Sequence, residues 1–358
     1  MDPLAGHLNG PAAPTRAPAP ATTVAAVWHG GTSVALEEVR VPEPGAGELL
    51  VAVDLATVCG SDRHTVSGRR SAACPSVLGH EAVGHVVAAG AGAPAAVGDR
   101  VVWGVTVSCG ACDLCRSGRT AKCRHVRKIG HEPFDAGWPL SGGFAGHILL
   151  PAGTTVVPVP VDLPDTLAAP AACATATVMA ALEAAGSPAG ARVLICGAGM
   201  LGLTAAAIAA DRGAATVVVT DVDPDRRALA TEFGATDTRH AAEPLPAVDV
   251  AVELSGATSA AASALAALDI GGRLVLAGAV TPVAPVAVDP ERVVRGWLTI
   301  TGVHNYEPRH LRQAIDYLAA SRERWPWETL VSPAVPLARV GDLLAGPNQR
   351  VPRLAVAP

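Results

Sequence analysis

The stretch Arg192-Val193-Leu194-Ile195-Cys196, followed at once by Gly197-Ala198-Gly199-Met200-Leu201-Gly202, decides the fold. Its apolar first half predicts a short buried strand, and the Ala-rich residues 200–212, closed by Gly213, predict a helix. Glycines between a strand and a helix allow a tight turn and let a dinucleotide pyrophosphate approach the free N–H groups of the helix. The stretch therefore predicts a Rossmann unit in which Gly197, Gly199 and Gly202 contact a coenzyme.

A carboxylate at the expected distance supports this prediction. Asp221 follows a predicted strand at 216–220, about 20 residues beyond the glycines, where it would accept hydrogen bonds from the adenine ribose. The same charge would repel a 2′-phosphate, which favours NAD over NADP. Arg226 and Arg227 keep NADP open, because an arginine just beyond the strand could hold a phosphate. The alternative is a helix-capping turn with a surface aspartate, which the combination of strand, turn, helix and acid disfavours.

Strands and helices alternate beyond this unit. Strands are predicted at 249–252, 273–277 and 298–301, with helical stretches around 224–233 and 258–268. This interval predicts βαβ units, so we expect an α/β coenzyme domain with a doubly wound parallel sheet at 161–302. Glycine and proline interrupt 24–160 every few residues, which predicts an irregular β domain with β-rich pieces at 48–55, 81–88, 99–103 and 144–150. Residues 303–358 start with a predicted helix at 307–320 and are expected to return to the first domain; residues 1–23 are expected to form a disordered tail.

The composition favours a small-molecule partner. The 358 residues carry a formal net charge of −5 and no stripe of Lys and Arg, which argues against nucleic acid or an anionic membrane as partner. The Ala- and Pro-rich start lacks the features of a signal peptide, and Asp, Arg, Pro or Gly interrupts each apolar run, so no transmembrane helix is predicted. We expect a cytoplasmic protein, in which eight cysteines indicate metal binding or catalysis rather than disulfides.

Four of the cysteines stand in one loop. Cys109, Cys112, Cys115 and Cys123 have the pattern C-x2-C-x2-C-x7-C. Four thiolates at this spacing can close a tetrahedral shell around Zn2+ and leave no position for a substrate, which predicts a structural zinc. Iron–sulfur ligation is the competing use, but the spacing matches the ferredoxin patterns poorly. Free or disulfide-paired cysteines are the other alternative.

Three further residues form a dispersed set. Cys59 stands in Val-Cys-Gly-Ser-Asp-Arg-His, His80 in Gly-His-Glu-Ala-Val-Gly and Cys173 in Pro-Ala-Ala-Cys-Ala-Thr. A zinc held by two cysteines and one histidine keeps a fourth position for a substrate oxygen, as Lewis-acid catalysis requires. Each residue alone has a simpler explanation: Cys173 as a packed core thiol, and His80 as a hydrogen-bonded histidine beside a buried strand.

The motifs occur in the order found in the zinc-containing alcohol dehydrogenases of the medium-chain dehydrogenase/reductase superfamily, which the chain resembles from the end of the tail onward. The resemblance rests on Cys-Gly-Ser-Asp at 59–62, Gly-His-Glu at 79–81, Gly-Asp-Arg-Val at 98–101, the four-cysteine loop, Cys173 and the glycine-rich turn. It implies a GroES-like catalytic domain, a Rossmann coenzyme domain and an active site in the cleft between them. It also implies that Cys59, His80 and Cys173 bind a catalytic zinc, the second zinc of the chain.

The resemblance also assigns roles to neighbouring residues. Glu81 matches an acid near the metal that replaces the third cysteine in some branches; because Cys173 is present, Glu81 is expected beside the zinc shell rather than in it. Asp62 matches the carboxylate that orients the zinc-bound histidine. Ser61 and His64 match a relay that carries the alcohol proton to solvent. The alternative for His64 is a surface loop histidine.

Further positions are expected around the coenzyme and the substrate. Thr177 matches a residue that flanks the nicotinamide, and Leu201 is expected against the far face of its ring. The residues expected near the substrate are Val105, Phe144, Ala145, His304, Asn305 and Tyr306. Cys74 receives no role, and Cys196, at the end of a buried strand, is expected to be packed.

The densest basic stretch bears on the substrate. It runs from Arg124 to Lys128, and arginine can bind phosphate or phosphonate through paired hydrogen bonds. The chain also resembles a subgroup associated with phosphonate metabolism, notably at 105–110, 130–135, 138–144 and 301–306. A phosphonate-bearing or otherwise polar alcohol is therefore the substrate hypothesis. A solvated connection beside the structural zinc is the alternative explanation of the basic stretch.

Other functions compete with a dehydrogenase. A catalytically silent zinc- and NAD-binding protein would not need the open set of Cys59, His80 and Cys173, and a zinc-free reductase of the superfamily would usually lack both cysteine sets. A lyase, or a dismutase with tightly held NAD, would use the same hydride machinery and stays an alternative. The resemblance further implies a homodimer or homotetramer.

Overall fold

The computed structural model describes residues 20–347 and 350–358. Strand β1, Thr22–Trp28, begins inside the predicted tail 1–23, whose residues 1–19 lie outside the described part of the chain. Thr22 and Thr23 pair with Arg40 and Val39 of the next strand, a placement that β-branched residues favour. The expected disorder is therefore wrong for these two threonines.

From residue 20 to residue 158 most of the regular secondary structure consists of strands. After β1 its strands are β2 (Val34–Arg40), β3 (Leu49–Val58), β4 (Ser76–Val77), β5 (Glu81–Ala89), β6 (Arg100–Val107), β7 (Arg127–Lys128), β8 (His147–Leu150) and β9 (Thr154–Pro158). Helices α1 (Gly60–Val66) and α2 (Asp113–Arg116) and a 3-10 turn at Thr120–Lys122 lie between them. One sheet has the order β2-β1-β4, and a second contains the consecutive neighbours β3-β5-β6-β7, all antiparallel.

Two strands of this region are longer than the pattern predicts. β3 continues to Val58 and β6 to Val107, and both are buried along almost their whole length. A strand buried on both faces shows no polar alternation to mark its end. β8, in contrast, begins only at His147, because Ala145 instead forms an isolated bridge with Ala25 of β1.

A continuous helical run follows the first domain. It consists of α3 (Asp165–Pro170), a π-helical turn at Ala171–Thr175 and α4 (Ala176–Ala185). The sequence analysis expects a proline to interrupt this run, but the helical run continues past Pro170. A widened turn can re-form the hydrogen-bond ladder beside a proline. Within the described residues this run alone is long and apolar enough to cross a membrane, but 78% of its most apolar stretch is buried inside the protein. It packs against β3 and β5 as a core helix.

The parallel sheet contains the predicted Rossmann unit. Its elements are β10 (Arg192–Cys196), α5 (Met200–Asp211), β11 (Thr216–Asp221), α6 (Pro224–Glu232), β12 (Asp237–His240), β13 (Val248–Glu253), α7 (Thr258–Ala267), β14 (Leu268–Leu276), α8 (Pro290–Gly296) and β15 (Thr299–Gly302). The strands run parallel in the order β12-β11-β10-β13-β14-β15. The order reverses at β10, and ligands bind beyond the carboxyl ends of strands at such a point. The predicted α/β class with a doubly wound sheet is confirmed.

β12 and α8 were not predicted. β12 is four residues long and none of them is fully buried, and α8 has no buried residue. Without an apolar face, neither segment shows the periodicity on which a prediction depends.

The C-terminal segment returns to the first sheet. It contains α9 (Pro308–Ser321), 3-10 turns at Trp327–Leu330 and Leu337–Arg339, β16 (Val335–Pro336), α10 (Val340–Ala345) and β17 (Leu354–Ala357). α9 buries Leu311, Ala314, Ile315 and Leu318, which share one helix face. β17 pairs antiparallel with β3, and α10 packs against α1. α10 was not predicted, because the proline-broken pattern there indicates short strands.

One apolar core extends through both domains. Val105 of β6, Leu167 of α3, Ile195 of β10 and Leu311 of α9 belong to the same buried cluster. Above this core lies one cavity. Residues just after β3, just before β5 and in the turn after β10 all line it.

Candidate active site

Four side chains that commonly bind metals converge beside this core. Cys59 follows β3, His80 precedes β5, and Cys173 lies in the π-helical turn. Thr57 of β3 pairs with Glu81 of β5, so the two strands place Cys59 and His80 side by side. One ligand atom from each of these three residues, and one from Glu81, all lie within 4.8 Å of one another. The structure thus brings together the three predicted ligands and the acid expected beside them.

The electrostatics of this cluster suit a soft cation. A hydrogen bond from Cys173, aided by the charge of Arg353, lowers the pKa of Cys59 well below its usual value despite burial. The hydrogen bond to Cys59, together with burial, raises the pKa of Cys173. A thiolate beside a second sulfur and an imidazole is a donor set that Zn2+ prefers, whereas Mg2+ and Ca2+ prefer oxygen. The residues present therefore fit a zinc ion.

Asp62 lies behind His80. Its Oδ1 is 3.1 Å from Nδ1 of His80, and both side chains are buried. The pair is not aligned as a hydrogen bond, and neither atom has another hydrogen-bond partner among the described residues. Burial alone would lower the pKa of His80, but Asp62 and Cys59 raise it well above its usual value. The other ring nitrogen, Nε2, faces the hydroxyl of Ser61 at 3.2 Å.

A buried ion pair lies against the same cluster. Arg353 donates from Nε to Oε2 of Glu81 at 2.7 Å and from Nη2 to Oε1 at 2.9 Å, and Thr57 donates to Oε2 at 2.7 Å. Nη2 is also 3.6 Å from the sulfur of Cys59. Burial raises the pKa of Glu81 to about 7, although Arg353 opposes that rise. Both oxygens of Glu81 are therefore satisfied by protein donors.

Arg353 was not predicted from the sequence. It stands 272 residues from Glu81 along the chain and belongs to no motif. The one signal was its place immediately before an apolar strand, Leu354–Ala357, where a charged side chain has to find a partner once it is buried.

Ser61 and His64 lie on helix α1. They are three residues apart, so they share one face of the helix, and both line the cavity that contains Cys59 and His80. Burial, followed by the charge of Arg69, lowers the pKa of His64 below its usual value. Its imidazole is therefore neutral at neutral pH and able to accept a proton.

The glycine-rich turn forms another wall of the cavity. Gly197 has a φ of +100°, which favours glycine, and an added Cβ would lie 3.0 Å from Ser255. A Cβ on Gly202 would lie 1.7 Å from the carbonyl oxygen of Gly197, whereas one on Gly199 would meet nothing within 4 Å. The first and third glycines are thus required by the protein's own packing. The middle one borders open space, into which a dinucleotide pyrophosphate fits.

Asp221 ends β11 next to this turn. Its Oδ2 accepts a hydrogen bond from the N–H of Ala198 at 2.7 Å, and its Oδ1 accepts one from Asp223 at 2.9 Å. Arg227 donates to the carbonyl oxygen of Asp221 at 2.8 Å and is thereby occupied. Arg226 instead lines a second cavity that shares Gly199 and Met200 with the first, and its buried Nε has no hydrogen-bond partner among the described residues. Thr177 and Leu201 line the first cavity.

The four cysteines of the loop after β6 also come together. Cys112 lies 3.4 Å from Cys115 and 3.9 Å from Cys123, and Cys123 lies 3.5 Å from Cys109, sulfur to sulfur. Hydrogen bonds from the N–H groups of Arg124 and Cys115 lower the pKa of Cys112 to about 6. Four sulfurs at these distances, one of them ready to ionise, fit a closed tetrahedral zinc shell.

The loop is joined to the segment that precedes α9. Glu307 accepts hydrogen bonds from the N–H groups of Thr120 and Ala121 at 3.0 and 3.1 Å. Lys122 lies 2.9 Å from Nδ1 of His304, and Asn305 donates to the carbonyl oxygen of Ala121 at 3.4 Å. The 3-10 turn between Cys115 and Cys123 thus contacts the residues that follow β15.

Only part of the predicted substrate wall lies at the cavity. Val105, His304, Asn305 and Tyr306 line it, as does Lys128 at the end of the basic stretch. Phe144 and Ala145 do not: they are 1% and 0% exposed and are packed in two other buried apolar clusters. Arg124 pairs with Asp113 at 2.6 Å, and Arg127 lies 4.3 Å from the ring centre of Trp138. Arg70 and His131 line the cavity and were not predicted.

The fold and the site define a class of protein: a two-domain dehydrogenase with a zinc-type ligand set facing a dinucleotide turn. The family described as alcohol dehydrogenase GroES-like domain matches residues 45–161, and the family described as zinc-binding dehydrogenase matches 201–320. The L-threonine 3-dehydrogenase of Anaeromyxobacter dehalogenans is 36% identical over 290 residues, which cover 75% of this chain and 79% of that protein.

Two solved structures agree. A zinc-binding dehydrogenase from Sinorhizobium meliloti bound to NADP has a TM-score of 0.85 and 28% identity, covering 94% of this chain and 99% of that one. An alcohol dehydrogenase from Thermotoga maritima has a TM-score of 0.85 and 27% identity with the same coverage, 94% and 99%. The chain belongs to the zinc-containing alcohol dehydrogenase family of the medium-chain dehydrogenase/reductase superfamily, and the GroES-like and Rossmann fold expected from the resemblance is confirmed.

Proposed function

We propose that this protein is a zinc-dependent, NAD-linked alcohol dehydrogenase that acts on a polar alcohol or its carbonyl counterpart. The observation that carries the proposal is the convergence of Cys59, His80 and Cys173 within 4.8 Å, in a cavity shared with residues 199–202 of the glycine-rich turn. When bound, zinc would polarise a substrate oxygen, and a nicotinamide coenzyme would exchange hydride with the adjacent carbon. Asp62 would fix the orientation of His80, and Glu81 would keep Arg353 beside the metal site.

Ser61 and His64 form the proton route in this proposal. The Ser61 hydroxyl, next to Nε2 of His80, would accept the proton of an alcohol held at that position. His64 lines both this cavity and the adjoining one, so its neutral imidazole would take the proton outward.

The coenzyme we propose is NAD. The Asp221 carboxylate, held beside the turn by two backbone N–H groups, would accept hydrogen bonds from the ribose hydroxyls and repel a 2′-phosphate. Thr177 and Leu201 would flank the nicotinamide, and Arg226 would contact the adenosine end. We expect fluorescence titration to give a lower Kd for NADH than for NADPH. In Asp221→Ala the Kd for NADPH divided by the Kd for NADH should fall at least about tenfold. A lower Kd for NADPH in the wild-type protein would contradict the assignment.

Metal analysis tests the two zinc sites. We expect two zinc ions per chain in the wild-type protein. Cys59→Ala should bind one zinc ion and lose activity, and Cys123→Ala should also bind one. Cys74→Ala is the matched control, because Cys74 is an exposed free cysteine outside both clusters, and it should keep both ions and the activity. Two ions retained in Cys59→Ala would remove the catalytic site from the proposal.

Turnover separates the proposal from its alternatives. A panel of alcohols with added NAD, followed by NADH absorbance, should give one NADH per alcohol consumed. Product formed without net NADH would indicate a lyase or a dismutase with tightly held NAD. Zinc and NAD binding without turnover of any alcohol or carbonyl would indicate a silent binding protein.

A homodimer or homotetramer is also part of the proposal. β15 forms the edge of the six-stranded sheet, and Val294 and Trp297 just before it are 71% and 82% exposed. Light scattering after gel filtration would measure the mass. We place the protein in the cytoplasm, because a reducing compartment keeps its cysteines available for metal.

A further inference from the structure

The part of the active-site cavity contributed by the first domain is positively charged. Arg70 and Lys128 carry this charge, and the ring of His131 lines the same wall with its centroid 5.1 Å from that of His80. Among the described residues that line the cavity there is no Asp and no Glu. A cavity with such a lining favours an anionic ligand.

Neighbouring cations are already neutralised. Arg124, Arg127 and Arg353 form ion pairs with carboxylates at 2.6, 3.7 and 2.7 Å. Within residues 20–347 and 350–358, by contrast, neither Arg70 nor Lys128 has a carboxylate within ion-pair distance. Two cations that share a cavity wall and lack a counter-charge are available to a ligand.

His131 holds Arg70 in place. Nδ1 of His131 lies 2.5 Å from the carbonyl oxygen of Gly130 and donates to it, so Nε2 accepts the hydrogen bond of Arg70 Nη1 at 3.1 Å. One N–H of the guanidinium is thus fixed, and its other N–H groups can bind an oxyanion.

The surroundings of Lys128 disfavour its positive charge. Burial, followed by the charges of Arg70 and Lys122, lowers its pKa. His304, at the same cavity, has its pKa lowered to about 4 by burial and by the same group of cations. An oxyanion beside Lys128 and Arg70 would offset this repulsion.

We infer that Arg70 and Lys128 form an oxyanion subsite, and that the substrate is an alcohol whose far end carries a phosphonate, phosphate or carboxylate. The inference rests on the proposed dehydrogenase function. Arg70 would offer a planar fork of donors and Lys128 a point charge, a combination that suits an oxyanion. The ammonium of threonine, the amino acid after which the curated relatives are named, would meet no carboxylate among the described cavity-lining residues.

Calorimetric binding tests the subsite without turnover. The zinc-loaded protein with NADH is titrated with 2-hydroxyethylphosphonate. We expect wild type to bind it, and R70Q and K128Q to bind it about 10- to 100-fold more weakly, the effect of losing a charge-assisted hydrogen bond. R124Q is the matched control, because Arg124 belongs to the same basic stretch but pairs with Asp113 outside the cavity, and it should bind as wild type does. Equal affinities in wild type, R70Q and K128Q would overturn the subsite.

Turnover distinguishes this inference from the proposed function and identifies the oxyanion. We expect kcat/KM for 2-hydroxyethylphosphonate or 3-hydroxypropanoate to exceed that for 1-propanol at least about tenfold in wild type. R70Q should remove this preference, and R124Q should keep both the preference and the wild-type turnover of 1-propanol. The better of the two anions identifies the group that the subsite prefers. Equal kcat/KM for neutral and anionic alcohols would overturn the subsite and leave the dehydrogenase intact. Binding of the anion without oxidation of any alcohol would overturn the dehydrogenase and leave the subsite.

Discussion

Replacing Gly199 by alanine should separate coenzyme binding from folding. The backbone of Gly199 has φ −81° and ψ −170°, which alanine adopts without strain, and the new Cβ would meet no protein atom within 4 Å. The methyl group would instead stand in the space beside the turn. We therefore expect G199A to fold normally, to bind both zinc ions, and to bind NADH weakly.

The magnitudes follow from these contacts. A methyl group that touches no protein atom should change the free energy of unfolding by less than about 0.5 kcal/mol. If it displaces the pyrophosphate from one N–H of the turn, it removes a charge-assisted hydrogen bond of about 1.5–3 kcal/mol, which raises the Kd for NADH roughly 10- to 100-fold.

G202A is the matched variant in the same turn. Its Cβ would lie 1.7 Å from the oxygen and 2.8 Å from the carbon of the Gly197 carbonyl, both backbone atoms that cannot rotate away. Helix α5 would have to move away from β10, at the upper end of overpacking costs, about 3 kcal/mol or more. We expect this variant to lose stability rather than only coenzyme affinity.

NADH fluorescence titration measures the Kd, urea unfolding followed by tryptophan fluorescence measures stability, and metal analysis counts zinc. A wild-type Kd in G199A would refute the assignment of the open space to the coenzyme. Unfolding of G199A at a lower urea concentration than wild type would show that the space beside Gly199 is not open. Wild-type stability of G202A would contradict the close contact between Gly202 and the carbonyl group of Gly197.

Three further changes test other parts of the structure. Arg353→Met should lower the free energy of unfolding by about 3–5 kcal/mol, because it leaves Glu81 buried and unpaired; urea unfolding should show much of that loss recovered in the double variant with Glu81→Gln. His64→Gln should lower kcat at neutral pH about 100-fold and remove the acid limb of the rate profile, a limb that lies below pH 6.5 in wild type because the pKa of His64 is lowered; an unchanged profile would exclude His64 from the relay. Asp211→Asn should cost about 1–3 kcal/mol at pH 7. Burial would raise the pKa of Asp211, but hydrogen bonds, first that from Arg324, lower it, so this stability is complete above the ordinary aspartate pKa and is lost as pH falls through the lower folded value. A wild-type advantage in urea unfolding that persists at the acid extreme would contradict the assignment.

The sequence predicts those parts of the site that are written in short motifs. Spacing alone groups the four loop cysteines into a ligand set, whereas the resemblance to the family groups Cys59 and His80 with Cys173. The structure brings both sets together. The glycine-rich turn is predicted for the same reason, since strand, turn and helix are contiguous. β10 was predicted with the bounds that the structure has.

Long-range partners could not be predicted in this way. Arg353 reaches Glu81 across 272 residues, and Arg70 reaches His131 across 61, so neither contact leaves a local pattern. Phe144 was assigned to the substrate wall by its place in the chain, but it packs inward. The density of basic residues was also a poor guide to the substrate site. Of the stretch from Arg124 to Lys128, only Lys128 lines the active-site cavity.

The contacts between the cysteine loop and the segment after β15 have a mechanical consequence. Three successive residues of one, 120–122, meet residues 304, 305 and 307 of the other, and His304 and Asn305 also line the cavity. The four-cysteine loop therefore supports one wall of the active-site cavity. If the zinc proposed for these four sulfurs were removed, we expect this wall of the cavity to lose its shape before the sheets beneath it unfold.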